Sequence, residues 1–121
     1  MLGRFSRMVV AMTIRMPRWF VGWVSRRYVA GSKLDDAVKV MHRLSKEGAC
    51  FTIDVLGEEI SSMEEATFFL EEYKRVVTAI IDNDFDSNLS IKPTAFGLLL
   101  DREKGMENIE NLVRMAHGHD M

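Results

Sequence analysis

Apolar residues recur at helical spacing in three segments of the chain, which predicts three amphipathic helices. Ser32 and Asp35 form a capping pattern before the first helix, and Gly48 ends it. Ser61 and Ser62 stand three residues before Glu64 and Glu65 and predict the start of the second. The third helix is predicted over roughly Asp101–Ala116. The apolar stripe of the second, longest helix comprises Ala66, Phe69, Leu70, Tyr73, Val76, Val77 and Ile80.

Two runs rich in β-branched and aromatic residues separate these helices. Cys50–Val55 predicts a first strand and Leu89–Thr94 a second, with a polar turn over Asp82–Asn88. Pro93 cannot donate to a ladder, so the second strand is expected to end or bulge there. Strands joined by a helix are normally parallel and adjacent. Since two parallel strands are too few for an independent sheet, the order predicts the opening of a larger parallel α/β fold.

The first 31 residues are rich in arginine and predict a basic N-terminal arm. The α/β portion is predicted over residues 32–121. Six arginines and no acidic residue precede Tyr28. Pro17 suits the first turn of a leading helix that runs to about Ala30, with Gly31 as its stop. One interpretation is a helix that packs its aromatic side on the next domain. A peripheral membrane contact and a mitochondrial-type presequence are the others.

Composition excludes several classes of protein. The chain has 121 residues, of which 47% are hydrophobic and 28% charged, with a net charge of −2. These values exclude intrinsic disorder, and the single cysteine, Cys50, excludes a disulfide scaffold. Six arginines in an acidic protein do not make a nucleic-acid-binding face. We expect a cytoplasmic protein that can contact the inner membrane, with a mitochondrial location as the alternative.

Charged residues at the ends of the two strands are the candidates for chemistry. Ligands of parallel α/β folds bind at the carboxyl ends of strands, where Asp54, Glu58 and Lys92 lie. A charge on a buried strand is costly unless it is paired or bound to a ligand, which singles out Lys92. The alternatives are that Lys92 snorkels from an edge strand and that Asp54 pairs with it. No metal site is expected, because His117 and His119 lack a third ligand.

Three stretches, in this order and spacing, resemble the N-terminal part of the flavin-dependent proline dehydrogenases. They are Arg27–Gly31, Thr52–Glu58 and Ser90–Leu98, and the resemblance runs from about Trp19 to the end. It implies the beginning of a distorted (β/α)8 barrel of the TIM type, with two of its eight strands. The implied reaction is the oxidation of L-proline to pyrroline-5-carboxylate by hydride transfer to FAD, with electrons passed on to quinone.

The resemblance also implies roles for matching residues. Lys92 corresponds to the lysine that contacts the substrate carboxylate, and Glu58 to a loop acid that closes the site. Asp54 belongs to the same motif with a supporting role. The family's paired arginines and active-site tyrosine lie near the end of the barrel and have no counterpart here. We therefore expect little FAD binding and no turnover from this chain alone, and a complementing chain as the partner that completes the barrel.

Two other functions remain open from the residues alone. Lys92 could act as a Schiff-base nucleophile in an aldolase-like barrel, as a strand lysine in an apolar site can attack a carbonyl. Alternatively, the chain could be a non-enzymatic interaction or membrane-surface module, for which the basic, Trp-rich arm is the support.

Overall fold

The computed structural model describes residues 16–25, 31, 33–57 and 59–119. The chain divides between Ala37 and Val38 into two compact units. Four α-helices, two strands and a 3-10 helix occur in the described residues. In chain order they are α1 (Arg18–Ser25), α2 (Leu34–Ser45), β1 (Phe51–Asp54), α3 (Met63–Asp82), β2 (Ser87–Ser90), the 3-10 helix (Pro93–Phe96) and α4 (Arg102–His117).

The described part of the first unit contains helix α1 and the beginning of α2. The Pro17 carbonyl accepts from the N–H groups of Phe20 and Val21 at 2.9 and 3.2 Å, so the helix begins directly after the proline, close to its predicted start. The predicted continuation to Ala30 and the Ser32 cap fall on residues outside the described ranges. Among the helices of the described ranges, none combines the length and apolar character that crossing a bilayer requires.

The second unit is built around two parallel strands joined by helix α3. β1 pairs with β2 in a register that places Phe51 opposite Ser87 and Asp54 opposite Ser90. This confirms the predicted α/β class with two parallel strands and flanking helices. Within the part of the chain that the structure describes, each strand has one neighbour.

The second strand differs from its predicted position of Leu89–Thr94. It begins two residues earlier, at Ser87, and ends at Ser90. Helix α3 ends at Asp82, and Asp84 adopts a left-handed conformation with φ 53° that turns the chain into the strand. Pro93 opens a 3-10 helix, so the backbone has left the ladder before it. Lys92 therefore follows the strand instead of lying on it.

Helix α3 forms the centre of the core, and its sequence explains both its start and its buried face. Ser62 caps the helix by accepting from the Glu65 N–H at 3.3 Å, and the Ser61 N–H donates to Glu65 Oε2 at 2.8 Å. These bonds confirm the predicted capping pattern. The buried residues that the helix contributes lie on the predicted stripe: Ala66, Leu70, Tyr73, Val76, Val77 and Ile80.

Helix α4 and the 3-10 helix pack on α3 and complete the core, which includes Ala95, Phe96 and Leu112. Asp101 caps α4 by accepting from the Lys104 N–H at 3.1 Å, in agreement with the predicted start. The close approach of α4 to the turn at Leu98 depends on Gly105. A Cβ at this position would lie 2.7 Å from both the N and the Cα of Leu98. The turn that follows the 3-10 helix therefore packs against a helix surface that has no side chain there.

Candidate functional site

The carboxyl ends of the two strands bring Asp54 and Lys92 together. Asp54 is the last residue of β1, and Lys92 lies two residues beyond Ser90, the register partner of Asp54. Lys92 immediately precedes Pro93, which biases it toward extended backbone, and it adopts φ −113° and ψ 110°. The lysine therefore leaves the sheet on the same edge as the aspartate.

The two side chains form an ion pair. Lys92 Nζ lies 3.4 Å from Asp54 Oδ2, and the side chains are 33% and 31% exposed. The pairing anticipated between these residues is thus present. The expectation of charges on buried strand positions is wrong, because β2 ends before Lys92 and both groups keep access to water. A ligand can reach the pair from solvent without a change in the core.

A buried tyrosine from α3 completes the cluster. Tyr73 Oη lies 2.9 Å from Asp54 Oδ1 and 2.9 Å from the Ser90 carbonyl oxygen, so its single proton is shared between two acceptors. The same oxygen accepts from the Val55 N–H at 3.3 Å. Burial, followed by the hydrogen bond to Asp54, raises the pKa of Tyr73 to about 12. The hydroxyl therefore stays protonated and remains a donor across the physiological range.

The sequence pattern of α3 predicts only a packing role for Tyr73, as a member of the apolar stripe, and does not reveal the polar role of its hydroxyl. Its ring does belong to the core, where it lies 5.2 Å from the Phe96 ring. The available signal was chemical: a buried phenol usually finds a hydrogen-bond partner, whereas the neighbouring stripe residues need none. Which partner it finds depends on the register of the strands above the helix.

The third site residue singled out from the sequence, Glu58, lies outside the described residues. The preceding Gly57 has a φ of 149°, and a Cβ there would collide with the ring of Phe69, so the loop passes tightly over α3. His117 and His119 are both exposed. In the described ranges, no three His, Cys, Asp or Glu side chains are grouped closely enough to hold a metal ion.

An apolar groove runs beside β2. It has a volume of about 620 Å³ and lies between the strand and one face of α4. Leu89 and Ile91 contribute from the strand side, and Leu112 and Val113 from the helix. Val113 is half exposed although it faces this groove. The groove therefore presents apolar surface along the strand that precedes Lys92.

The arrangement at the strand ends favours recognition of a small anionic ligand. An ammonium group can donate to more than one oxygen, so pairing with Asp54 does not prevent Lys92 from donating to a ligand carboxylate. Asp54 and Tyr73 restrict where the ammonium lies. The cluster contains one cation, one carboxylate and one neutral donor, a set that does not resemble a pyrophosphate-binding loop.

Comparison with curated proteins finds that the chain is similar to part of several proline dehydrogenases. Proline dehydrogenase 1 of Bacillus subtilis subsp. natto is 39% identical over 97 residues, and that of Bacillus subtilis strain 168 is 38% identical over the same length. Proline dehydrogenase 2 of strain 168 is 29% identical over 101 residues. The matches cover 80% of this chain but 32–33% of each relative, so the chain spans about a third of their length. No protein-family model matches the chain.

Proposed function

Because the chain is related to the proline dehydrogenases over about a third of their length, we propose that it forms the first part of a proline-oxidising (β/α)8 barrel. In this proposal β1 and β2 are the first two barrel strands, and their carboxyl ends contribute Lys92 and Asp54 to the substrate site. The observation that carries the proposal is the Lys92–Asp54 ion pair on the edge of a parallel sheet where such folds bind ligands.

The exposed apolar surface of the second unit supports further barrel strands and helices. A parallel pair with helices on its outside is characteristic of larger α/β sheets. Leu56 and Leu99 are 88% and 80% exposed, and the groove between β2 and α4 is lined by apolar side chains. A barrel of about 250 residues would cover these surfaces by extending the sheet beyond β2.

The substrate that fits Lys92 is the carboxylate of L-proline. The ammonium would neutralise this carboxylate and hold the ring in one orientation, which is what hydride transfer from a bound substrate requires. When bound, FAD would supply the oxidant that takes the hydride from the proline ring, with quinone as the acceptor that would reoxidise it. Pyrroline-5-carboxylate is the product.

The described residues do not make a flavin site on their own. The ends of β1 and β2 offer one cation, Lys92, which this proposal assigns to the substrate carboxylate. A dinucleotide needs donors for its pyrophosphate, and none of the described loops forms a glycine-rich phosphate cradle. In this proposal the FAD contacts come from the remainder of a complete barrel.

Reconstitution tests the proposal. The 121-residue chain would be co-expressed with a second chain that supplies the remaining two thirds of a Bacillus proline dehydrogenase. We expect a flavin absorbance band and proline-dependent dye reduction from the pair, and neither from the 121-residue chain alone. Lys92→Met should abolish dye reduction and Lys74→Met should not, because Lys74 pairs with Glu71 on the exposed side of α3.

Two results would contradict the proposal. One is a soluble complementing pair that binds flavin but does not oxidise proline. The other is a pair whose activity survives Lys92→Met unchanged.

The Schiff-base alternative is disfavoured by the same ion pair. A carboxylate 3.4 Å from Lys92 Nζ favours the charged ammonium, whereas attack on a carbonyl needs the neutral amine. Borohydride treatment with a carbonyl compound should therefore leave Lys92 unmodified. A stable adduct found on Lys92 by peptide mapping would restore the aldolase-like interpretation.

A peripheral membrane contact by the N-terminal arm is a second proposed activity, compatible with the first. On helix α1, Trp19 and Trp23 are 74% and 66% exposed, and no acidic residue occurs before Asp35. Aromatic rings and arginines on one short helix suit the headgroup region of an anionic bilayer. Such a contact would place a bacterial protein at the cytoplasmic face of the inner membrane or a mitochondrial one at the organelle's inner membrane.

Liposome sedimentation tests the membrane contact. Binding to anionic vesicles should fall when Trp19 and Trp23 are both changed to Ala, and deletion of the arm should remove it. Phe68→Ala is the matched control, since Phe68 is an exposed aromatic residue of the second unit. Unchanged binding after deletion of the arm would leave a non-enzymatic membrane module without support.

A further inference from the structure

The hydroxyl of Tyr73 connects the core helix to the charged pair at the strand ends. We propose that Tyr73 is a positioning residue that fixes the Asp54 carboxylate and, through it, the ammonium of Lys92. The inference rests on the proposed function only where it assigns Lys92 to the substrate carboxylate. The positioning itself is a property of the 121-residue chain and can be measured without substrate.

The contacts of the hydroxyl reach both strands at their carboxyl ends. Tyr73 Oη is 2.9 Å from Asp54 Oδ1 and 2.9 Å from the carbonyl oxygen of Ser90, and it accepts from the Val55 N–H at 3.3 Å. Asp54 and Ser90 are register partners at the last pair of the sheet. One phenol thus joins the end of β1, the start of its loop and the end of β2.

The two oxygens of Asp54 have different partners. Tyr73 holds Oδ1, and Oδ2 faces Lys92 Nζ at 3.4 Å. A carboxylate with one oxygen fixed cannot rotate freely about its side-chain torsions, so the position of the other oxygen is set as well. Without the hydroxyl, the partly exposed carboxylate would be able to turn toward water, and its contact with the ammonium would no longer be fixed.

The tyrosine ring is itself immobilised, which gives the hydroxyl a defined position. The residue is fully buried, and its ring lies 5.2 Å from that of Phe96 with an interplanar angle of 35°. Phe96 ends the 3-10 helix that begins directly after Lys92. The core therefore constrains the lysine from two sides, through the Asp54 carboxylate and through the backbone that follows it.

A spectroscopic measurement of Lys92 tests the inference. The side-chain ammonium of Lys92, assigned with Lys92→Met, should give a nitrogen–proton NMR signal, because a fixed ion pair slows exchange with water. Tyr73→Phe keeps the ring and removes the hydroxyl, and it should abolish this signal or shift it strongly. Thr78→Val removes a hydroxyl from the exposed side of the same helix, where Thr78 donates to the Lys74 carbonyl, and should leave the signal unchanged.

A second measurement applies even if Tyr73→Phe fails to fold. The chain has two tyrosines, so 3-fluorotyrosine in a Tyr28→Phe background labels Tyr73 alone. Its fluorine signal should shift in Asp54→Asn and, in a different amount, in Lys92→Met, while Thr78→Val should not move it. The inference would be overturned by a fluorine signal that shifts in neither Asp54→Asn nor Lys92→Met. It would also be overturned by a folded Tyr73→Phe variant in which the Lys92 ammonium signal is unchanged.

The outcome is separable from that of the proposed function. Both measurements are made without proline or flavin. If the coupling is present but the reconstituted barrel is inactive, the positioning inference stands and the proposed function fails. If the barrel is active but the Lys92 signal is the same with and without the Tyr73 hydroxyl, the proposed function stands and the positioning inference fails.

Discussion

Lys92 Nζ lies 3.4 Å from Asp54 Oδ2, which links the ends of two strands that a 20-residue helix separates in sequence. The pair is accessible to solvent, yet Tyr73 anchors its carboxylate in the core. Polar groups that must contact a ligand and stay in place need such an anchor, because an exposed ion pair alone is mobile and weak.

Loss of the Tyr73 hydroxyl should destabilise the second unit. Tyr73→Phe leaves the Ser90 carbonyl and the Val55 N–H without this partner, and we expect the free energy of unfolding to fall by about 1–3 kcal/mol. Urea denaturation monitored by circular dichroism measures the change. Thr78→Val should stay within about 0.5 kcal/mol of the parent chain, as for other surface substitutions. Equal stability of the parent chain and Tyr73→Phe would show that water replaces the hydroxyl without cost.

Alkaline titration should report the environment of the same phenol. Since the pKa of Tyr73 is raised to about 12 from an ordinary value of 10, the folded state holds its proton more tightly than the unfolded state. Its contribution to stability is complete below pH 10 and is lost as the pH rises toward 12. Phenolate absorbance in a Tyr28→Phe background follows the titration, and Tyr73→Phe should lack this component of the stability profile.

Two charge variants should move that titration in opposite directions. Asp54→Asn removes an acceptor charge that raises the pKa of Tyr73, so the pKa should fall but stay above 10, because burial is the larger cause. Lys92→Met removes a charge that lowers the pKa of Tyr73, which should therefore rise. Shifts of the same sign in both variants would contradict the arrangement of the three groups.

The ion pair should matter more for ligand binding than for folding. Because both side chains are about a third exposed, Lys92→Met should change the free energy of unfolding by less than about 1 kcal/mol. Thermal unfolding of the parent chain and the variant measures the difference. A large loss of stability would mean that the loss of activity expected for this variant on reconstitution reflects unfolding.

Gly105→Ala should change the stability of the chain in the direction opposite to that expected from helix propensity. Alanine normally favours a helix interior over glycine by about 1 kcal/mol. At Gly105 the added Cβ would lie 2.7 Å from the backbone of Leu98, so we expect a destabilisation of about 1–3 kcal/mol. Gly118→Ala is the control, since its Cβ would meet its nearest atom, the Arg114 carbonyl oxygen, at 3.6 Å. A more stable Gly105→Ala would show that α4 can move away from the turn at Leu98.

Local sequence patterns are sufficient to predict the order of the elements and the parallel pairing of the strands. Periodic burial and capping are local properties, so the stripe of α3 and its Ser62 start could be predicted from neighbouring residues alone. The charged residues near the carboxyl ends of the two β-rich runs are visible in the sequence for the same reason. Parallel strands put their carboxyl ends on one edge, which predicts that Asp54 and Lys92 lie close together.

The surroundings of that ion pair depend on tertiary packing. The end of β2 depends on where the ladder meets the backbone leading into Pro93, which moved Lys92 off the strand and left it partly exposed. The role of Tyr73 depends on atoms 17 to 19 residues away in sequence. In the periodic pattern of α3, Tyr73 cannot be distinguished from the other apolar residues of the stripe. Only the rotation of α3 beneath a fixed strand register determines which groups its hydroxyl meets.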